Sequence, residues 1–180
     1  MIETIVLNVK VNNMKNILLI IFALSFCFPA FSAEKTYKDW FFRTDGEDFY
    51  YAVTVNNNNH IFGEYCYIED QECLFLIGVG IACTEGDKYP VLVNTESSSV
   101  YLNLVCGNRI GKQNVLIFDD FEQIESVVKA SKQFKIAIPI KDSQFKVSRF
   151  SLSGSTYSLD VLSNEIEKRV LSPNVDSALL

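Results

Sequence analysis

Up to Phe118 the apolar positions come in short runs that read as strands, and a helical period first appears at Phe121. Thr36 to Arg43 and Asp48 to Val55 are rich in aromatic and β-branched residues and predict two strands. Asp45-Gly46 between them predicts a tight hairpin. The run Asn56 to Asn59 tolerates left-handed backbone and predicts the next turn. Strands follow over 60–68 and 73–82. Gly78 and Gly80 interrupt the second of these, which suggests a bulge or a close backbone approach. Glu85-Gly86-Asp87 reads as a loop, and Tyr89–Val93, Val100–Cys106 and Val115–Phe118 as three further strands. Phe121, Ile124, Val127 and Val128 then recur at helical spacing. Asp119 is the expected cap of this helix, with Glu122 completing a capping box. Strands are expected at Phe134–Ile140 and Phe145–Leu152, around a turn at Lys141 to Gln144. A second helix is expected from Ser155 or Thr156, with Leu159, Leu162, Ile166 and Val170 on its apolar face. Lys168 and Arg169 suit the dipole of its last turn, and Ser172-Pro173 ends it. Many strands followed by two late amphipathic helices predict an α+β fold, a mostly antiparallel sheet as a sandwich or open barrel.

The first 32 residues read differently. Lys15 precedes an apolar run from Ile17 to Phe28, and Pro29 ends it. Ala30 and Ser32 are small residues placed for a cut before Ala33. These are the three parts of a secretory signal peptide starting at Met14, and the run is short of the roughly 20 residues that span a bilayer. A lipoprotein box at Cys27 is disfavoured by Phe26 before it. The expected mature chain is 33–180, one disulfide-stapled domain, periplasmic or secreted, with no membrane attachment after cleavage.

Charge narrows the partners. Removing Glu3, Lys10 and Lys15 with the leader leaves 14 basic against 21 acidic residues, a net charge of −7. Nucleic acid, whose phosphates need a basic face, is an unfavourable partner, and so is an anionic membrane. A basic protein suits it.

The mature chain keeps Cys66, Cys73, Cys83 and Cys106, and four cysteines in an exported chain predict two disulfides. With Glu69-Asp70 as a hairpin turn, position 66 faces position 73 within bridging distance. Cys83 then pairs with Cys106 and closes the longer loop, worth about 3 kcal/mol by loop entropy. Spacings of six, nine and 22 residues and a single histidine do not make a zinc site, and paired cysteines leave no thiol nucleophile. No cofactor motif is present.

His60 follows the asparagine run and reads as a solvated loop side chain. No Gly-x-Ser-x-Gly elbow is present. Carboxylates crowd the stapled region: Glu64, Glu69, Asp70, Glu72, Glu85 and Asp87, with Asp45, Glu47 and Asp48 as a second group. They read as solvating hairpin tips and, as a set, as a docking surface for a cationic partner. Paired carboxylates are also what a glycoside hydrolase uses, which is the enzymatic alternative. The aromatics of the first hairpin, Tyr37, Trp40, Phe41, Phe42, Phe49, Tyr50 and Tyr51, supply a core face and leave the opposite face as a candidate ring patch.

From Cys83 onward the chain has a cysteine-bearing sheet and an amphipathic helix over Phe121 to Lys132. A strand at Phe134 to Ile140 follows, then Phe150-Ser-Leu-Ser-Gly154 leading into Tyr157 to Leu162. In these features it resembles the invasion-associated locus B family of exported bacterial proteins, with a different cysteine spacing. The resemblance implies a β-rich, non-enzymatic periplasmic or secreted domain and brings no catalytic residues. The expected function is protein binding without catalysis, in its sharpest form inhibition of a basic cell-wall hydrolase such as lysozyme.

Overall fold

The computed structural model describes residues 34–110, 113–140 and 144–171; the expected leader and the expected stop at Ser172-Pro173 lie outside them. Among the described residues, ten strands form one antiparallel sheet. They are β1 (Lys35–Tyr37), β2 (Trp40–Arg43), β3 (Phe49–Val55), β4 (Ile61–Tyr67), β5 (Glu72–Gly78), β6 (Lys88–Asn94), β7 (Ser99–Ile110), β8 (Gln113–Phe118), β9 (Gln133–Pro139) and β10 (Phe145–Ser151). Helix α1 (Phe121–Ala130) joins β8 to β9, and helix α2 (Ser155–Leu171) follows β10. The spatial order is β1-β2-β3-β4-β5-β8-β7-β6-β9-β10. Strands β6, β7 and β8 thus double back so that β8 pairs β5, and α1 carries the chain across to β9 beside β6. The fold is α+β, with an open sheet.

One face of the sheet is the core. Trp40, Phe42, Phe62, Phe75, Ile77, Leu104, Leu116, Ile136 and Phe150 alternate inward along their strands and are buried. Ile124, Val127 and Val128 of α1 and Leu159 and Leu162 of α2 complete the same cluster. The two ends of the sheet curl together without pairing. Trp40 Nε1 donates to Ser151 O at 3.2 Å, and Asn56 Nδ2 donates to Arg149 O at 3.0 Å.

Several local expectations are corrected. The first strand is broken into a hairpin, because Lys38 takes φ 54 and reverses the chain between Tyr37 and Trp40. Asp45-Gly46 is part of a five-residue connection between β2 and β3, since Arg43 faces Tyr51. Gly78 ends β5, and Gly80 lies beyond the strand with φ 71. The cap of α1 is Asp120, one residue later than expected; its Oδ1 accepts from Gln123 N at 2.9 Å. On α2, Ile166 is only half-buried and Val170 is exposed.

Two glycines are required by contact. A Cβ at Gly63 would meet the backbone of Ala52 and Val53 on β3. Gly154, at φ +99, brings the chain against the Tyr37 carbonyl, where the Tyr157 ring then packs at a tilt on that of Tyr37, 4.3 Å between centroids. Gly63→Ala is expected to cost about 1–3 kcal/mol in urea unfolding, because the clashing atoms are backbone and the strands must separate. A loss below ~0.5 kcal/mol would show that β3 and β4 do not approach this closely.

Candidate functional site

Both cysteine pairs are bonded. Cys66 and Cys73 face each other across β4 and β5 with Cα atoms 4.0 Å apart, and Cys83 bonds Cys106 at 6.1 Å. The first staple lies immediately behind the β4–β5 turn, where Tyr67 faces Glu72.

That turn is one of two acidic tips side by side. Ile68 N donates to Asp48 O at 2.9 Å, which joins the β4–β5 turn to the β2–β3 connection. Asp45, Glu47 and Asp48 on one tip and Glu69, Asp70 and Glu72 on the other are all exposed. Arg43 pairs with Asp45 at 3.0 Å. Among the described residues no cation pairs with Glu69, Asp70 or Glu72.

Directly beside the tips, the outer face of β3 and β4 carries four rings. Phe49 faces Tyr67 and Tyr51 faces Tyr65 across the ladder, and the Phe49 ring lies 6.0 Å from those of both Tyr65 and Tyr67. Tyr51 and Tyr65 stack at 5.8 Å. Phe49 keeps 38% of its surface in solvent, and a shallow hollow of ≈ 380 Å³ opens between Phe49, Tyr51 and Tyr65 and the neighbouring Phe41, Val53 and Val55. Tyr51 donates to Glu34 Oε1 at 2.7 Å. Burial, reinforced by the Glu34 carboxylate, pushes the Tyr51 hydroxyl up to about 12. Burial, then the neighbouring hydroxyls of Tyr51 and Tyr67, does the same to Tyr65, also to about 12. Both hydroxyls therefore remain protonated around pH 7.

The carboxylates expected to act together fall into three places. Glu69, Asp70 and Glu72 are on the tip. Glu85 and Asp87 lie past the far end of β5, where Gly86 N donates to Cys106 O and Cys106 N donates to Asp87 O, both at 2.8 Å. Glu64 is not a tip residue. It is 6% exposed on the inward face of β4, between Phe62 and Cys66. Its Oε1 lies 3.5 Å from Cys66 Sγ. Burial, with a further contribution from Glu125, raises its carboxyl to about 7 against a small opposing effect of Lys129. Glu64 with Cys66 and Cys73 has metal-ligand spacing, but both sulfurs are spent in the disulfide.

His60 is also inside rather than solvated. It is 9% exposed, and its Nδ1 lies 2.7 Å from Ser148 Oγ, tying the residue that leads into β4 to β10 across the seam of the curled sheet. Burial, then Lys146, lowers its pKa. Along that seam runs a polar groove of ≈ 1050 Å³, whose lining includes Lys38, Asp39, Asn56, Lys132 and Arg149. The missed members of the site are Tyr65 and Tyr67, whose odd positions share the outward parity of Phe49 and Tyr51 once the 66–73 register is fixed.

No protein-family model matches the chain, and no curated protein matches its sequence. Its fold is similar to the crystal structure of invasion associated protein B from Bartonella henselae. The TM-score is 0.55 at 15% identity, and the alignment covers 74% of this chain and 97% of that one. The likeness to the invasion-associated B family is thus one of fold, and it extends over more of the chain than the stretch from Cys83 onward.

Proposed function

We propose that this chain is an exported, non-enzymatic binding module whose partner is a basic protein, held on the ring face of β3 and β4 and the acidic tips beside it. The observation that carries the reading is the adjacency of four outward rings to six exposed carboxylates at one end of the sheet. Carboxylates steer a cationic partner in, and rings supply area and cation–π contacts once it has docked. The Cys66–Cys73 bond holds the tip in one geometry, which lowers the ordering cost of binding. Disulfides persist in oxidising compartments, which fits a periplasmic or secreted protein. The sharpest form of the proposal is an inhibitor of a basic cell-wall hydrolase such as lysozyme. Glu64 lines neither groove, so the carboxylate-hydrolase alternative gains nothing from it.

The test is a pull-down with the 33–180 chain at low and high salt, followed by titration of the captured protein. A basic partner is expected at low salt, with affinity falling roughly tenfold or more when Glu69, Asp70 and Glu72 are replaced together by Gln, Asn and Gln. Tyr65→Ala should raise the off-rate and leave the salt slope unchanged. Capture that ignores salt, the tip and the rings would remove this reading.

A further inference from the structure

A carboxyl buried in a sheet core needs a reason, and Glu64 touches an unusual neighbour. Its Oε1 lies 3.5 Å from Cys66 Sγ, and Glu64 is 6% and Cys66 1% exposed. A disulfide sulfur has no hydrogen to give. The contact is therefore favourable when the carboxyl is protonated and its O–H points at the sulfur. Glu64 makes no other hydrogen bond among the described residues. The charged groups facing it come from α1: Glu125 and Lys129, which pair with each other at 2.9 Å. From α2, Asp160 acts on Lys129. A carboxylate formed at Glu64 would have Lys129 as its nearest compensation.

The disulfide itself is placed to open and close. Cys73 is only partly buried, whereas Cys66 sits behind it. The β4–β5 ladder runs from Ile61↔Gly78 to Tyr67↔Glu72, so backbone pairing keeps positions 66 and 73 opposed without the bond. Opening it leaves two thiols still facing each other.

We infer that Cys66–Cys73 is a redox-active disulfide that exchanges with an external dithiol, with Glu64 as the proton donor to the Cys66 sulfur. A thiolate of the dithiol attacks Cys73 Sγ and forms a mixed disulfide. The Cys66–Cys73 bond breaks, and its electron pair goes to Cys66 Sγ. Glu64 passes its proton to that sulfur, and the resulting carboxylate regains a proton from solvent. The second thiol of the reductant loses its proton to solvent and attacks its own partner sulfur. That step releases Cys73 as thiolate and leaves the reductant oxidised. The protein gains two electrons and the dithiol loses two. Run backwards, the same route lets Glu64 accept the Cys66 proton during oxidation.

Cys83–Cys106 is an internal control. The polar atom beside its Cys106 Sγ is the carbonyl of Gly107 at 3.7 Å, which carries no proton.

The test is a time course of reduction by dithiothreitol from about pH 5 to about pH 9, with thiol labelling and peptide mapping to separate the two bonds. Rates are divided by the thiolate fraction of the reagent. Cys66–Cys73 is expected to open at least roughly tenfold faster than Cys83–Cys106. Its corrected rate should fall across an inflection near the Glu64 value of about 7. Glu64→Gln should slow opening at low pH roughly tenfold and erase the inflection. Glu125→Gln leaves the Glu64 carboxyl in place and removes a like charge beside it, so the inflection should move to lower pH, which a merely structural role would not do. Equal rates for the two bonds, or an unchanged inflection in Glu64→Gln, would overturn the inference. So would opening of Cys66–Cys73 only at the rate of global unfolding.

Discussion

Phe62→Ala is expected to destabilise the chain by about 3–5 kcal/mol, a large share of the stability of an ordinary domain. Phe62 is fully buried on β4, and its ring meets rings from five other strands. Trp40 of β2 lies at 6.2 Å, Phe75 of β5 at 5.7 Å and Phe118 of β8 at 5.9 Å. Phe134 of β9 lies at 4.7 Å and Phe150 of β10 at 5.6 Å. Strands β9 and β10 stand at the far end of the ladder from β2. Phe62 is thus where the two ends of an open sheet touch. A cavity there cannot be closed by shifting one neighbour, because the walls belong to separate strands, so the cost should sit high in the usual range. Phe62→Leu keeps most of the volume and should cost less than about 1.5 kcal/mol. Urea unfolding followed by tryptophan fluorescence reads both, since Trp40 reports on the same cluster. A loss under ~1 kcal/mol for Phe62→Ala would mean that the sheet ends do not pack on one another.

What was legible in the sequence was local. The turn at Glu69-Asp70 sets 66 opposite 73, and that one register fixes a disulfide, the β4–β5 hairpin and the inward parity of Phe62. The helical period over Phe121 to Val128 is equally local and places three buried residues on α1. The sequence gives no sign that β8 returns to β5, nor that Trp40 reaches Ser151, because those pairings are chosen by tertiary packing. Backbone exceptions were hidden as well: a lysine at φ 54 splits β1 from β2, and lysine is not a residue that announces a left-handed turn. The candidate site was half visible. Tip carboxylates and hairpin aromatics stand out by type, but their adjacency depends on Asp48 pairing with Ile68. His60 and Glu64 were misplaced for one shared reason. Residue type suggested solvent, whereas the alternation His60, Phe62, Glu64, Cys66 puts all four on the inward face. Parity outranked polarity.

Glu64 makes stability fall as pH rises, the reverse of an ion-paired carboxylate. Its folded pKa is about 7 against an ordinary value of 4.5. Below the lower value the carboxyl is protonated in both states and contributes no slope. Between the two, the folded chain holds a proton that the unfolded chain has released, so each step up in pH favours unfolding. Above about 7 the full effect is present, and the shift corresponds to about 3 kcal/mol lost. His60 works in the opposite sense. Burial, then Lys146, lowers its pKa, so its contribution is lost as pH falls through the folded value and is complete above 6.5. The two slopes offset each other in mildly acidic solution, and wild-type stability alone does not separate them. Comparison with Glu64→Gln does, because glutamine keeps the neutral shape and cannot ionise. The variant is expected to match wild type near pH 4.5 and to exceed it by about 3 kcal/mol at about pH 8, read from urea unfolding at both values. Lys129→Met removes a cation that favours the Glu64 carboxylate and should widen that gap. If Glu64→Gln tracks wild type at every pH, the carboxyl is not held protonated in the core.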